Sequence, residues 1–174
     1  YIIKPAPNYK YLRFREYIPA NEHLTMQIAS QVYKIKTAEN GIIFFRNGEM
    51  AYITKRFDYD KDGNKIMQED FSSIAGKTNR THGKDFKYSG SYEDAARLIR
   101  NNVAAWQIEM DRFFSLVIFN YIFANGDAHL KNFSLQQTPN GDYIMTPAYD
   151  LINTSLHIND GDFALQDGLI PTEE

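Results

Sequence analysis

The sequence contains no cysteine among its 174 residues, which excludes a disulfide framework, a thiol nucleophile and a cysteine-based zinc site. It also has no basic surplus. The formal net charge is -3, so overall charge gives no reason to expect direct binding to nucleic acid. No apolar run approaches the roughly 18 residues that a membrane span requires, and no signal peptide opens the chain. These absences fit a protein of the reducing cytoplasm that has no membrane partner.

The chain does have enough apolar material for a sizeable core. Hydrophobic residues make up 43% of it, so disorder along the whole chain is not expected. The length suits one globular domain or two small lobes. The first residue is Tyr1 rather than methionine, and the first segment already has the character of a strand. We therefore expect this chain to be an internal piece of a longer protein.

Residues 1–55 predict a strand, a helix and a hairpin. Residues 1–4 form a short strand stopped by Pro5, and Asn21 is suited to cap the helix that follows. One helical face carries Leu24, Ile28 and Val32, and a second face carries Glu22, Met26 and Ala29. Asn47-Gly48 then lies between two apolar runs. This is a strong hairpin signal, because both turn positions favour positive φ.

The second half of the chain predicts helices and another hairpin after a polar stretch at 58–90. Ser91 and Asp94 have the spacing of a capping box and should open a helix. A later helix has an apolar face formed by Phe114, Val117, Ile118, Tyr121 and Ile122. Asn125-Gly126 is suited to the left-handed cap that would end this helix. The segments 133–135 and 143–145 surround a turn sequence and predict the hairpin.

The candidate catalytic stretch runs from Asn125 to Asn132, between that helix and that hairpin, and Tyr149-Asp150 follows the hairpin. Phosphoryl transfer requires one carboxylate to orient the attacking hydroxyl and accept its proton. It also requires an asparagine and another carboxylate to hold Mg²⁺ against the phosphates. Protein kinases use the same order, Asp-x-x-x-x-Asn followed by a magnesium-binding aspartate. The spacing therefore predicts Asp127 as the base, with Asn132 and Asp150 as magnesium ligands.

Two further residues of this loop have expected roles beside the nucleotide. Lys131 is a candidate to steady phosphate charge, and His129 is a candidate to brace the loop by a hydrogen bond. The alternative is that these polar residues only form a turn, where Asp, Asn and His are ordinary. His157, which lies farther along, is interpreted as an ordinary polar loop residue.

The amino-terminal half can supply the rest of a kinase site. Such a site needs a strand lysine on the phosphates, held by a helix glutamate. Lys4 lies on the first predicted strand, and Glu22 lies near the start of the first predicted helix. The alternative is a solvated lysine and a first-turn glutamate favoured by the helix dipole. Residues 54–58 leave a strand, where a hinge between lobes would bind adenine through backbone groups.

Taken together, these segments resemble the HipA-like serine/threonine kinases of bacterial toxin–antitoxin modules. The matching segments are Tyr1-Ile2-Ile3-Lys4, Asn21-Glu22, Arg56-Phe57-Asp58, Gln68-Glu69-Asp70, residues 126–132 and Tyr149-Asp150. They occur in order from residue 1 to about residue 155.

The resemblance implies an α+β, protein-kinase-like fold with two lobes. Residues 1–57 would be part of the amino-terminal lobe and end in the hinge, and residues 58–174 would be part of the carboxyl-terminal lobe. It also implies ATP and Mg²⁺ as cofactors, and a bacterial protein as substrate, with aminoacyl-tRNA synthetases as one class. The implied partner is a HipB-like DNA-binding antitoxin, so DNA would be met only indirectly.

The resemblance also implies roles for individual residues. Lys4 would bind phosphate with Glu22 as its partner, the backbone of Lys55 and Phe57 would contact adenine, and Asp58 would reach the ribose. Asp127, Asn132 and Asp150 would act as the spacing already predicts. The family's phosphate-gripping loop lies upstream of the strand lysine, before Tyr1, so we expect the chain by itself to lack a part of the enzyme.

Other interpretations stay open at this point. Residues 58–69 satisfy the calcium-loop pattern Asp-x-Asp-x-Asp-Gly-x5-Glu, although a strand rather than a helix is predicted before them. Small-molecule phosphotransferases share the Asp-x-x-x-x-Asn loop, and a catalytically silent kinase fold could serve only to bind a partner. A basic run at Lys77, Arg80, His82, Lys84 and Lys87 could contact an acidic or phosphate-bearing target. Its alternative is a solvated loop.

Overall fold

The computed structural model describes residues 1–165, and these residues form two three-stranded antiparallel sheets and five α-helices. The last nine residues of the predicted carboxyl-terminal lobe lie outside the described residues. Over the described part of the chain, no helix combines the length and the apolar character that crossing a membrane would require.

The first sheet carries the candidate lysine. Its strands β1 (Ile2–Pro5), β2 (Asn40–Phe44) and β3 (Met50–Thr54) are arranged in the order β1-β3-β2. Lys4 of β1 lies opposite Tyr52 of β3. The β2–β3 hairpin confirms the prediction, but only Gly48 of its turn has positive φ, at 84°. The prediction that both turn residues have positive φ is therefore wrong. The amide of Gly48 donates to the carbonyl of Phe45, so the loop is longer than a two-residue turn.

Helix α1 (Ile18–Gln31) packs against this sheet. It begins three residues before Asn21, with Pro19 in its first turn, so the predicted cap at Asn21 is wrong. Its apolar face is also not the buried one, since Leu24 and Val32 are exposed while Met26 and Ala29 are fully buried. The sheet surface accepts the small and slender side chains of the second face, and that face carries Glu22.

The second sheet supports the candidate loop. Its strands β4 (Gln68–Asp70), β5 (Ser134–Gln137) and β6 (Tyr143–Met145) follow the order β4-β5-β6. The β5–β6 hairpin confirms the second predicted hairpin. Short helices α2 (Phe71–Ile74) and α3 (Asn79–His82) lie in the polar stretch after β4.

Two longer helices complete the described chain. Helix α4 (Tyr92–Asn102) begins with the predicted capping box, in which Ser91 and Asp94 exchange side-chain and backbone hydrogen bonds. Helix α5 (Trp106–Ile122) packs on α4. The main core cluster joins these helices to the second sheet through the aromatic side chains of Phe71, Tyr92, Phe113 and Phe133.

The buried face of α5 matches the predicted one only in part. Val117 is buried and Ile118 is half-buried as expected, but Phe114, Tyr121 and Ile122 are exposed. The other buried residues of the helix are Glu109, Phe113, Leu116, Phe119 and Asn120. Both faces of this helix are apolar, so periodicity alone could not distinguish the one that meets the core.

The end of α5 sets the direction of the candidate loop. The left-handed residue there is Ala124, with φ of 48°, and not Asn125 or Gly126 as predicted. Gly126 is needed for a different reason. A Cβ at this position would lie 2.4 Å from the carbonyl oxygen of Gly161 and 2.5 Å from the carboxyl carbon of Asp160. Any larger residue would push the candidate loop away from the segment that covers it.

Candidate active site

Lys4 and Glu22 form an ion pair between the first sheet and α1. The Lys4 Nζ lies 2.7 Å from Glu22 Oε1, and the Glu22 side chain is only 7% exposed. The same ammonium also contacts the carboxylate of Asp150, which lies 146 residues farther along the chain. The structure thus brings together three predicted site residues from three separate segments.

Burial controls the ionisation of this pair. It raises the pKa of the Glu22 carboxyl from 4.5 to about 7, and the nearby Lys4 ammonium opposes the rise. Burial acts to lower the pKa of Lys4, but the carboxylates of Asp150 and Glu22 outweigh burial and raise it. The ammonium therefore stays charged, and the ion pair with Glu22 is complete only above about pH 7.

Asp150 lies after the second sheet in a conformation that is uncommon outside glycine, with φ of 56°. Contacts to α1 fix the segment that follows it. The side chain of Asn21 donates to the carbonyl of Asn153 at 2.8 Å and contacts Nε2 of His157 at 2.8 Å. His157 is buried and is not the ordinary loop residue expected from the sequence. Neither Asn21 nor His157 could be assigned this bracing role from local sequence.

Asn132 ends the short 3-10 turn Leu130–Asn132 and faces Asp150. Its Nδ2 lies 3.4 Å from Asp150 Oδ2. Its Oδ1 is buried and has no hydrogen-bond partner among the described residues. An amide oxygen without a partner beside a carboxylate is a donor set that suits Mg²⁺, which prefers oxygen ligands and keeps several waters or phosphate oxygens. The residues present therefore fit a magnesium ion whose remaining ligands would be waters or phosphate oxygens.

Six of the candidate residues line one open cavity of about 200 Å³. Its lining consists of Lys4, Glu22, Asn125, Asp127, His129, Asn132, Asp150 and Ile152. Asn125 was expected only as a helix cap, but its side chain lies in this wall. Its Nδ2 donates to Asn120, and its buried Oδ1 has no partner among residues 1–165.

Asp127 lies at the rim of the cavity, where its side chain is 48% exposed. The hydroxyl of Tyr88 donates to Asp127 Oδ1 at 2.5 Å, and the Lys87 Nζ lies 4.0 Å from the same oxygen. Sequence reasoning missed Tyr88. The only signal near it was the basic run that ends at Lys87, because a polar stretch without periodicity does not show which residues fold back onto the loop.

His129 is buried next to Asp127, with its Nε2 3.9 Å from Asp127 Oδ1. Burial lowers the pKa of this imidazole, which favours its neutral form. Lys131, in contrast, is not brought into the cavity. Its Nζ lies 2.8 Å from Asp70 Oδ2, and that contact ties the loop to β4. A role for Lys131 on the phosphates stays a prediction, and this geometry gives it no support.

The predicted hinge residues lie outside the lining of the cavity. The amide of Lys55 donates to the carbonyl of Glu39 at 2.8 Å. The ring of Phe57 lies 5.6 Å from that of Tyr149. Asp58 accepts from Arg56 at 2.9 Å, and this pairing lowers the pKa of its carboxyl. Contacts of these residues with adenine and ribose stay predictions.

The segment with the calcium-loop pattern forms a turn that is stabilised by its own side chains. The amides of Asp62 and Asn64 both donate to Asp60 Oδ1, and Tyr59 bridges to Lys65 across the turn. Strand β3 precedes this segment, not the helix that an EF-hand requires. Within residues 1–165, no group of three or more acidic or histidine side chains is arranged to hold a metal ion.

Comparisons with known proteins identify the family of the chain. A sequence model of the HipA-like C-terminal domain matches residues 1–169. A Haemophilus influenzae protein named "Putative kinase" is 30% identical over 162 residues, which cover 89% of this chain and 45% of that protein. "Putative kinase Y4mE" of Sinorhizobium fredii is 33% identical over 116 residues, covering 62% of this chain and 26% of that protein. The chain thus spans between 26% and 45% of the length of these relatives.

Two solved structures share the fold. A chain from the Shewanella oneidensis complex of HipA, HipB and operator DNA superposes with a TM-score of 0.74 at 22% identity, covering 97% of this chain and 41% of that one. The proinflammatory kinase CtkA of Helicobacter pylori gives a TM-score of 0.65 at 16% identity, covering 86% of this chain and 49% of that one. The predicted α+β, kinase-like fold, present here as a part of such a kinase, is therefore confirmed. The lobe boundary at residue 57 stays a prediction.

Proposed function

Because this chain belongs to the family of HipA-like C-terminal domains, we propose that it carries the catalytic centre of an ATP- and Mg²⁺-dependent serine/threonine protein kinase. The observation that supports this most is the meeting of Lys4, Asp127, Asn132 and Asp150 around one cavity. These residues come from distant parts of the chain, and each has the chemistry that one step of phosphoryl transfer needs. A turn or a silent fold has no need for this combination.

In the proposed reaction, each residue acts on a different part of the transfer. Lys4, fixed by Glu22, binds phosphate oxygens. Asn132 and Asp150 hold Mg²⁺, which when bound neutralises charge on the phosphates. Asp127 orients the acceptor hydroxyl and accepts its proton as the oxygen–phosphorus bond forms. The ammonium of Lys4 and the carboxylate of Asp150, which contact each other here, would bind phosphate and metal respectively when a nucleotide is present.

The site is prepared for this exchange before any nucleotide binds. Lys4 is 36% exposed, and it already lies on the side of the cavity where Asp150 and Asn132 present oxygen atoms. Asp127 lies on the rim, where a hydroxyl of another molecule can reach it. In the proposed reaction, metal and phosphates would bind inside the cavity and the acceptor at its edge, an arrangement that suits a large protein substrate.

We propose the biological role from the family and from its relatives. The substrate would be a serine or threonine of a bacterial protein, with an aminoacyl-tRNA synthetase as one class, and its modification would arrest growth. The partner would be a HipB-like DNA-binding antitoxin, since the Shewanella oneidensis structure is a complex with HipB and operator DNA. DNA would then be bound only through the antitoxin, and the activity would belong to the cytoplasm.

Calorimetry with a non-hydrolysable ATP analogue tests the central part of the proposal. This chain and the full-length protein are each titrated with and without Mg²⁺, and Asp150→Ala is compared with Asp142→Ala, which alters an exposed residue of the β5–β6 loop. We expect magnesium-dependent binding that weakens at least about tenfold in Asp150→Ala, because a charged metal ligand is lost. Asp142→Ala should bind like the wild type.

The other outcomes separate the alternatives. Absence of binding by both proteins would overturn the kinase proposal and favour a silent fold. Equal binding by Asp150→Ala and wild type would remove Asp150 from the metal site. Transfer of phosphate to small alcohols but not to any protein would favour a small-molecule phosphotransferase.

A further inference from the structure

The candidate base already holds a hydroxyl group of its own chain. Tyr88 donates to Asp127 Oδ1 at 2.5 Å across 39 residues of sequence. The proposed reaction requires an acceptor hydroxyl to donate to this same carboxylate before it attacks phosphorus. A phenol is chemically competent for that role, and its distance to Asp127 is within hydrogen-bond reach of a general base.

The position of the Tyr88 ring is fixed by its neighbours. The ring packs edge-to-face on His129, with centroids 5.2 Å apart, and the Lys87 Nζ lies 4.8 Å from its centroid. Burial and the Asp127 carboxylate raise the pKa of the phenol, which keeps its proton. Lys77 donates to the carbonyl of Ser89 at 2.6 Å and anchors the segment from its other side. These contacts therefore fix the position of the Tyr88 side chain next to Asp127.

A second tyrosine of the same region makes a useful contrast. Tyr92 lies four residues farther on and also contacts the candidate loop, but it is 2% exposed and donates to the carbonyl of Ala128. A backbone carbonyl cannot accept a proton in catalysis, so this contact supports the fold. Tyr88 is half-buried and meets the one carboxylate that the reaction requires.

We propose that Tyr88 is a self-phosphorylation site of this chain, an inference that rests on the proposed kinase function. In the step, the Tyr88 Oη attacks the γ-phosphorus of Mg²⁺-bound ATP, and the bond from that phosphorus to the β,γ-bridging oxygen breaks. The phenolic proton passes to Asp127, and ADP leaves with the electron pair of the broken bond. The product is a phosphotyrosine, and no oxidant or further reactant is needed.

The product would not stay where the phenol is. A phosphotyrosine carries a charge of about -1.5 to -2 near neutral pH. It would lie against the Asp127 carboxylate, and the negative charge of Asp160 would add to the repulsion. Repulsion would drive the ring outward and free Asp127 for an external hydroxyl, with Lys87 adjacent to receive the phosphate. Self-phosphorylation would thus open the acceptor position.

The test is phosphopeptide mass spectrometry of the full-length protein after incubation with ATP and Mg²⁺, over a range of protein concentrations. We expect phosphate on Tyr88 at a rate independent of protein concentration, because the acceptor is in the same chain. Tyr88→Phe should abolish this modification, and Asp127→Asn should prevent it. The matched control is Tyr143→Phe, which alters a half-buried tyrosine of β6 that contacts Met67. It should leave phosphate on Tyr88 unchanged.

The outcomes separate this inference from the function it rests on. Phosphate on serine or threonine residues with Tyr88 unmodified would overturn the inference and leave the kinase proposal standing. A rate that rises in proportion to protein concentration would overturn the intramolecular step. Absence of phosphate on any residue, together with absence of magnesium-dependent nucleotide binding, would overturn both proposals.

Discussion

The two sides of the cavity are built in different ways. On the inner side, Lys4, Glu22 and Asp150 come from a strand, a helix and a distant loop, and they meet as an ion cluster in which Glu22 is buried, at 7% exposed, while Lys4 and Asp150 are 36% and 43% exposed. On the rim, Asp127 and Tyr88 meet through one hydrogen bond between two short irregular segments, and Asp127 is 48% exposed. The inner side is tied to the fold by charge and burial, whereas the rim is tied by local contacts.

Under the proposed function, this difference would separate the two tasks of a kinase. Metal and phosphates have the same shape in every turnover, so a cluster anchored by a strand and a helix suits them. The acceptor would differ between substrates, so an exposed rim suits the residues that would meet it. The comparison predicts that changes at the rim alter phosphoryl transfer and spare the fold, while changes on the inner side also alter the free energy of unfolding.

The largest effect is expected for Asp127→Asn. The two side chains are nearly isosteric, but an amide cannot accept the acceptor proton, so phosphoryl transfer should fall by about 10³-fold. Magnesium-dependent nucleotide binding and the melting curve should stay near those of the wild type. Single-turnover transfer and calorimetry measure the two effects. Asp111→Asn, at an exposed position of α5, serves as the control.

Full activity of Asp127→Asn with a normal melting curve would remove Asp127 as the base. Loss of nucleotide binding in this variant would contradict the separation of the rim from the inner side. It would mean that a change at the rim also disturbs the residues that bind the nucleotide.

A smaller effect concerns the pH dependence of stability on the inner side. The pKa of Glu22 is raised from 4.5 to about 7 in the folded chain, so the folded state binds more protons than the unfolded state between these values. The stabilisation from this group is fully present below about pH 4.5 and is lost as the pH rises through about 7. The free energy of unfolding should fall with pH in this window by up to about 1.4 kcal/mol per pH unit.

Urea unfolding of wild type and Glu22→Gln across pH 5 to 8 measures this contribution. The difference between the two free energies of unfolding should change with pH, because glutamine does not titrate. Glu49→Gln, in the exposed β2–β3 turn, should follow the wild type. If the free energies of unfolding of wild type and Glu22→Gln depend on pH in the same way, burial does not raise the pKa of the Glu22 carboxyl. Burial would then not distinguish the inner side from the rim.

Most of the candidate site, the inner side together with Asp127 of the rim, could be predicted from sequence, for identifiable reasons. Asp127, Asn132 and Asp150 are separated by one loop and one hairpin, so local spacing already indicates a shared site. Lys4 and Glu22 were predicted because a kinase site needs a lysine on a strand and a glutamate on a helix, and these residues lie on such elements. The structure brings all five to one cavity. Their roles in catalysis are still predictions.

The position of Tyr88 on the rim and the buried helix faces could not be predicted in the same way. Tyr88 reaches Asp127 from a polar stretch with no periodicity, so only the folded path of the chain reveals the contact. In α1 the buried face was the one that carries Glu22 and Ala29, because close packing on a sheet favoured small side chains over the more apolar Leu24 face. Hydrophobic pattern identifies helices well, but shape decides which face is buried when both faces are apolar.

The smallest effect on the free energy of unfolding is expected for Lys87→Met on the rim. Lys4→Met makes the same change on the inner side, so the two variants compare the two sides directly. Lys87 and Asp127 are 4.0 Å apart and 32% and 48% exposed, so their pair should contribute at most about 0.5 kcal/mol to stability and less at high salt. Lys4→Met leaves the buried Glu22 without its cation and should cost about 1–3 kcal/mol. Denaturant unfolding measures both variants at low and high salt. Equal losses would mean that the rim is as firmly tied to the fold as the inner side, and the contrast between the two sides would then be lost.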